Sequence, residues 1–204
     1  MIPFVRKMLR YTGIGLLVIF VWSAISGLVR RRRAIARYRE DAKDPFRRWT
    51  QGVFGIVSGT LDYADLSTGQ ARAVLARWWH VHGPRELLGV LDELGDDATP
   101  DTAWNLVRYV VVTRLGVGAG WLGRDEAWAM ARPIARRLQR GYDGWVALGH
   151  AYVVARRAAQ GLATDGSEDD AGMRAILEHI SVLRDGAWND VGFQTRFPEE
   201  EPPA

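Results

Sequence analysis

Residues 103–123 read AWNLVRYVVVTRLGVGAGWLG, and the choice between strand and helix for this stretch decides the fold. Tyr109-Val110-Val111-Val112 is the one strong strand-like run in the chain, and Gly118-Ala119-Gly120-Trp121-Leu122-Gly123 after it fits the G-x-G-x-x-G spacing of a dinucleotide-binding turn. Such a turn works only between a strand and a helix of a parallel βαβ unit, where glycines let the backbone approach a pyrophosphate. Here Ala103, Trp104, Val107, Val111 and Leu115 recur at helical rather than alternating intervals. No second strand follows before Asp143, the only carboxylate near the distance at which a ribose ligand is needed. The stretch is therefore expected to be a helix ended and packed through its glycines, with no cofactor.

Helical signals continue on both sides. Ser67 with Gln70 is a capping-box pair, and Ala71, Val74, Leu75, Trp78 and Trp79 then fall on one face. Gly83-Pro84 opens a helix with Leu87, Leu88, Leu91 and Leu94 in register, closed by Gly95 and Asp96-Asp97. Thr99-Pro100-Asp101 reads as a cap, a first-position proline and a first-turn acid for a helix expected from Pro100 to about Leu115 or beyond. Downstream, Ala127, Trp128, Ala131, Ile134, Ala135 and Leu138 share a face interrupted by Pro133, where a kink is expected. Asp143 is expected to cap a helix carrying Trp145, Leu148, Tyr152 and Ala159. Met173, Ile176, Leu177, Ile180 and Leu183 mark the last helix. The fold class is all-α: a transmembrane helix followed by a compact multi-helix domain.

The transmembrane reading rests on residues 11–29, nineteen positions without a charge. At about 1.5 Å per residue such a helix covers about 28 Å, close to the roughly 30 Å of bilayer hydrocarbon. Arg6, Lys7 and Arg10 precede the run, and Arg30, Arg31, Arg32, Arg33, Arg37 and Arg39 follow it. An uncleaved anchor is favoured over a signal peptide, because positive charge just beyond the apolar run resists translocation. A buried core helix apolar all round for five turns is unusual in so small a domain. The excess of arginine after the span is expected to keep the C-terminal side in the cytoplasm, with lipid headgroups as partners of the basic segment. The organisation expected is a tail at 1–10, a membrane helix at 11–29, a basic juxtamembrane segment at 30–44, where Asp44-Pro45 breaks the helix, a helical domain at 45–190 and a disordered tail at 191–204.

The chain has 204 residues, a net charge of +3 and no Cys. Absence of Cys removes disulfides, thiol nucleophiles and cysteine metal sites. Residues 1–50 hold twelve Lys or Arg against three acids, a local +9, so the rest of the chain carries −6. A domain of that charge lacks the basic face that nucleic acid requires, so none is expected as a partner.

Ala103-Trp104-Asn105-Leu106 with Arg108 and Arg114, Gly120-Trp121-Leu122 and Glu126-Ala127-Trp128, and Trp145 after Tyr142-Asp143 form an ordered set of motifs over residues 103–157, and in this set the chain resembles the bacterial family called domain of unknown function 1266. Tyr152 with Arg156-Arg157 adds to it, and the stretch from Leu61-Asp62 to Trp78-Trp79 is similar to the family's first helical unit. The resemblance spans about residues 50–190 and implies a helical domain without implying an activity.

Chemistry-bearing residues are sparse. His80 and His82 alternate, but His150 and His179 are scattered, so no metal is expected. No Ser, His and Asp set has the local context of a nucleophile. The one feature with functional promise is that Arg108 and Arg156 fall on apolar stripes. A buried guanidinium must meet a carboxylate or an anion, and Asp125, Glu126 and Asp143 are the internal candidates. The candidate cluster, anion site or internal ion-pair network, is therefore Asn105, Arg108, Arg114, Glu126, Tyr152 and Arg156; if the carboxylates point elsewhere, Arg108 and Arg156 with Arg114 and Asn105 form a pocket for an anion, since Arg grips carboxylate and phosphate bidentately. The expected function is an interaction or scaffold domain with a protein partner, anchored in a bacterial inner membrane. An enzyme or anion-binding protein using an arginine-lined pocket, and a conflict or secretion accessory protein, are the alternatives.

Overall fold

The computed structural model describes residues 32, 35–58, 66–96, 103–163 and 165–198, and among them there is helix, turn and loop but no strand. The expected membrane run at 11–29, Arg30, Arg31, Arg33, the Thr99-Pro100-Asp101 cap and residues 199–204 lie outside the described residues; Arg32 is described and exposed. Among the described residues no helix is long and apolar enough to cross a membrane.

After a helical stretch at 35–41 come α1 (Pro45–Ser58), α2 (Thr68–Trp79), α3 (Pro84–Gly95), α4 (Ala103–Gly118), α5 (Arg124–Gly141), α6 (Trp145–Gln160) and α7 (Ala171–Arg184). The valine-rich run 110–112 is inside α4, and α4 packs against α1, α2, α3, α5 and α6. Every residue from Tyr109 to Gly116 is buried. A helix covered on all sides has no polar face to display, which is why its sequence imitates a buried strand. Thr113 is tolerated there because its hydroxyl donates to the Tyr109 carbonyl at 2.8 Å. The glycine-rich segment behind it is a helix end. Gly120 takes φ 73°, and the N–H groups of Trp121 and Leu122 return to the Gly116 carbonyl.

Several expectations about faces are corrected. Trp78 is 68% exposed and Leu88 and Leu177 are also exposed, so the apolar stripes of α2, α3 and α7 are narrower than the spacing suggested. Asp143 does not cap α6; Gly144 stands at that position with no side-chain bond. Ala159 is exposed, and α5 runs on through Pro133. α1 is a full 14-residue helix, started by Asp44, whose carboxylate accepts the Arg47 N–H at 2.9 Å.

The largest departure is the C-terminal segment. Phe193 is buried, Phe197 packs on Phe46 and Trp49, and residues 185–198 form an irregular strap across α1, α5 and α6 rather than a loose tail. The physical reason lies in the indoles. Trp49 and Trp145 donate Nε1–H to the Phe193 and Val191 carbonyls at 2.8 and 2.7 Å, while Trp188, on the strap itself, donates to the Gly52 carbonyl at 3.1 Å. Helical carbonyls are mostly taken by helical N–H groups, whereas an irregular strap has carbonyls to offer. Gly52 is needed beneath this cluster, because a side chain there would meet the Trp145 ring at 2.8 Å.

The stretch from Tyr38 to Asp44 ahead of α1 is also tied in. Asp41 is fully buried, and its Oδ1 accepts from Arg124 at 2.6 Å and from Arg47 at 3.2 Å. Gln51 donates to the Tyr38 carbonyl at 3.4 Å. The residues immediately before α1 are therefore built into the domain.

Candidate functional site

α2 and α4 run antiparallel. Near one end the Arg72 Nε donates to the Ala119 carbonyl at 3.0 Å, and at the other Trp79 reaches Arg108. His80 ends α2 in the left-handed region at φ 54°, its N–H returning to the Leu75 carbonyl, and this sharp stop leaves Trp79 in the last turn. The Arg108 guanidinium carbon lies 4.4 Å from the centre of the Trp79 ring and 4.6 Å from that of Trp104. Trp104, one turn back on α4, stands 5.4 Å from the ring of buried Tyr152 on α6. A row of Trp79, Arg108, Trp104 and Tyr152 thus crosses three helices.

Arg108 is half-buried, and no carboxylate among the described residues pairs with it. Burial pushes its pKa below the ordinary arginine value, partly opposed by Tyr152. The charge is held against two indole rings, an interaction of about 0.5–2 kcal/mol.

The other expected residues separate. Arg156, one turn beyond Tyr152, is buried with Nη2 3.8 Å from Asp170 Oδ1, too long for a hydrogen bond, and its Nη1 has no partner among the described residues. Asp170 caps α7, accepting the Met173 N–H at 2.6 Å. Arg157 grips Asp169 through two bonds, which holds the Asp169 carboxyl below its usual range and pins the loop before α7. Arg114 faces α1 and α5, lying 4.3 Å from the Trp128 ring centre and 5.7 Å from that of Phe54. Glu126 is a helix-start residue: its carboxylate accepts the Gly123 N–H at 3.0 Å. Asn105 is half-buried on α4, three residues before Arg108.

The internal partners expected for the arginines are not the ones found. Asp125 is exposed and 3.5 Å from Arg47, Glu126 is engaged as described, and Asp143 is exposed. Sequence reasoning missed Asp170 and the role of Trp79. An Asp three residues before Met173 is a cap signal that was available; the meeting of Trp79 with Arg108 depends on helix packing and had none. His80 and His82 gather no third metal-binding side chain among the described residues. Among the described residues an open groove of about 1120 Å³ lies beside Tyr109, Arg136 and Arg140 and another of about 760 Å³ beside Asp143, Trp145 and Trp188, and none of Asn105, Arg108, Arg114, Glu126, Tyr152 and Arg156 lines either.

A model of the family described as "Protein of unknown function (DUF1266)" matches residues 29–193. The chain belongs to that family. The DUF1266 match begins some twenty residues earlier than the resemblance suggested, and buried Asp41 supplies the reason, since the segment ahead of α1 is part of the packed unit. It also ends at Phe193, inside the aromatic strap. No curated protein and no solved structure matches this DUF1266 chain.

Proposed function

We propose that this protein is a membrane-tethered binding module whose recognition element is the Arg108 edge held between Trp79 and Trp104, and whose ligand presents a carboxylate or phosphate. The observation that carries the reading is a half-buried guanidinium packed on two indoles with no carboxylate of its own among the described residues. Indole packing fixes the plane of the fork in advance, so an anion binding edge-on gains two charge-assisted bonds at little ordering cost. An enzyme reading has less support, because Glu126, the carboxylate expected in the cluster, is engaged at the start of α5.

Full-length protein in nanodiscs, titrated with acetate or phosphate at constant ionic strength, is expected to change its tryptophan fluorescence saturably. Arg108→Gln should weaken that response about tenfold or more, while Arg108→Lys, which keeps the charge and loses the fork, falls between. A response equal in wild type and Arg108→Gln rejects the site.

Tethering is supported by the uncharged run at 11–29 and the arginines after it. The domain is then held on the cytoplasmic face, where tethering raises the effective concentration of a membrane-bound partner. The acidic balance after residue 50 argues against nucleic acid as that partner. The untagged chain should pellet with membranes, resist alkaline extraction and enter solution only with detergent; full recovery in the soluble fraction would remove the tether.

A further inference from the structure

Trp78, beside the clamp residue Trp79, is the most exposed of the large hydrophobic side chains among the described residues, at 68%. It points away from the core although its neighbours on α2 supply Ala71 and Leu75 to it. Arg77 lies 5.5 Å from the Trp78 ring centre. α2 carries Arg72 and Arg77 with no acid, and exposed Arg85 follows at the start of α3, where Glu86 is taken up by the His82 N–H at 2.6 Å. α2 and the first turn of α3 thus carry three arginines, Arg72, Arg77 and Arg85, against one acid, Glu86, in a domain whose overall balance is acidic. An exposed Trp beside an unpaired Arg is the composition of a protein-binding hot spot, in which one aromatic anchor and one charge dominate the affinity.

We infer that the partner is a protein segment with an acidic side chain next to an apolar one, the carboxylate meeting the Arg108 edge and the apolar side chain lying on Trp78. Charge complementarity selects the occupant: α2 offers no acid to repel it, and Trp78 gives it apolar area that an isolated anion cannot use. Trp78 and Trp79 are consecutive on α2, with Cα atoms about 3.8 Å apart and side chains diverging by about 100°, so a segment that meets both contacts passes around the end of α2. The inference rests on the anion reading above but can fail without it.

Full-length protein in nanodiscs is titrated with two acetylated, amidated peptides, Gly-Leu-Glu-Leu-Gly and Gly-Ser-Glu-Ser-Gly, with acetate alone and with a short single-stranded oligonucleotide. The leucine peptide is expected to bind about tenfold or more tighter than the serine peptide, from burial of one apolar side chain. Trp78→Ala should erase that difference while leaving acetate and the serine peptide unchanged. Arg108→Gln should weaken all three. Equal binding of both peptides, an unaltered preference in Trp78→Ala, or tighter binding of the oligonucleotide overturns the inference. If acetate still binds through Arg108 in those cases, the anion site stands alone; if acetate does not bind, both readings fall. Trp78 is exposed, so a melting curve matching wild type will show that Trp78→Ala folds.

Discussion

Trp49→Ala is expected to destabilise the domain by about 3–5 kcal/mol, the range for removing a large aromatic from a packed core. Trp49 is fully buried, with ring centres of Trp145, Phe193 and Phe197 at 4.9, 5.4 and 5.5 Å. Its loss opens a cavity where α1, α6 and the strap meet. It also removes the Nε1–H donor to the Phe193 carbonyl, although Gln139 donates to the same oxygen at 2.8 Å and keeps it satisfied. For a domain of this size the melting temperature should fall by about 10 °C or more. Trp49→Phe, which keeps most of the ring and loses the donor, should cost about 1–2 kcal/mol. Circular dichroism melts of the three proteins check the order. A Trp49→Ala protein melting within a few degrees of wild type would mean that the strap is not part of the core.

Asp41→Ala is the second large effect, and it acts on the segment that leads into α1. The Asp41 side chain is 1% exposed and accepts from both Arg47 and Arg124. Removing it leaves two guanidinium groups facing each other across a hole. Those groups are 30% and 35% exposed, so water screens part of the repulsion, and a loss of about 1–3 kcal/mol is expected rather than the full penalty of an isolated buried charge. The effect should be local. Hydrogen exchange at 35–44 should accelerate much more than in α4, and trypsin should cut sooner after Arg39. Asp41→Asn, which keeps the shape and one acceptor, should fall between. Uniform exchange across the chain would show that the segment is not docked.

Much of the helical framework could be read from spacing alone because the signals are local. The Ser67–Gln70 box, the Gly83-Pro84 start and the glycine-ended α4 depend on a few neighbouring residues, and each appears where local chemistry puts it. Features set by distant packing could not be read this way. The 110–112 run looked strand-like because α4 is enclosed by five helices, and Trp78 looked buried because a helical stripe does not reveal its own width. The segment at 191–198 looked loose because its aromatics are separated by polar residues, yet Phe193 and the Val191 carbonyl are needed by tryptophans more than forty residues away. The site was half legible. Arg108 stood out as a charge on an apolar stripe, while the indole of Trp79 that holds it comes from another helix.

The most direct test is a side-chain ¹H–¹⁵N spectrum of the arginine Nε–H groups of full-length protein in nanodiscs, with Arg108 assigned by substitution. The Arg108 proton should be displaced upfield by two indole ring currents and should move saturably on adding acetate or phosphate at constant ionic strength. An Arg108 resonance at the position of exposed arginines, or one that ignores both anions, would contradict an arginine edge held open for an anionic partner.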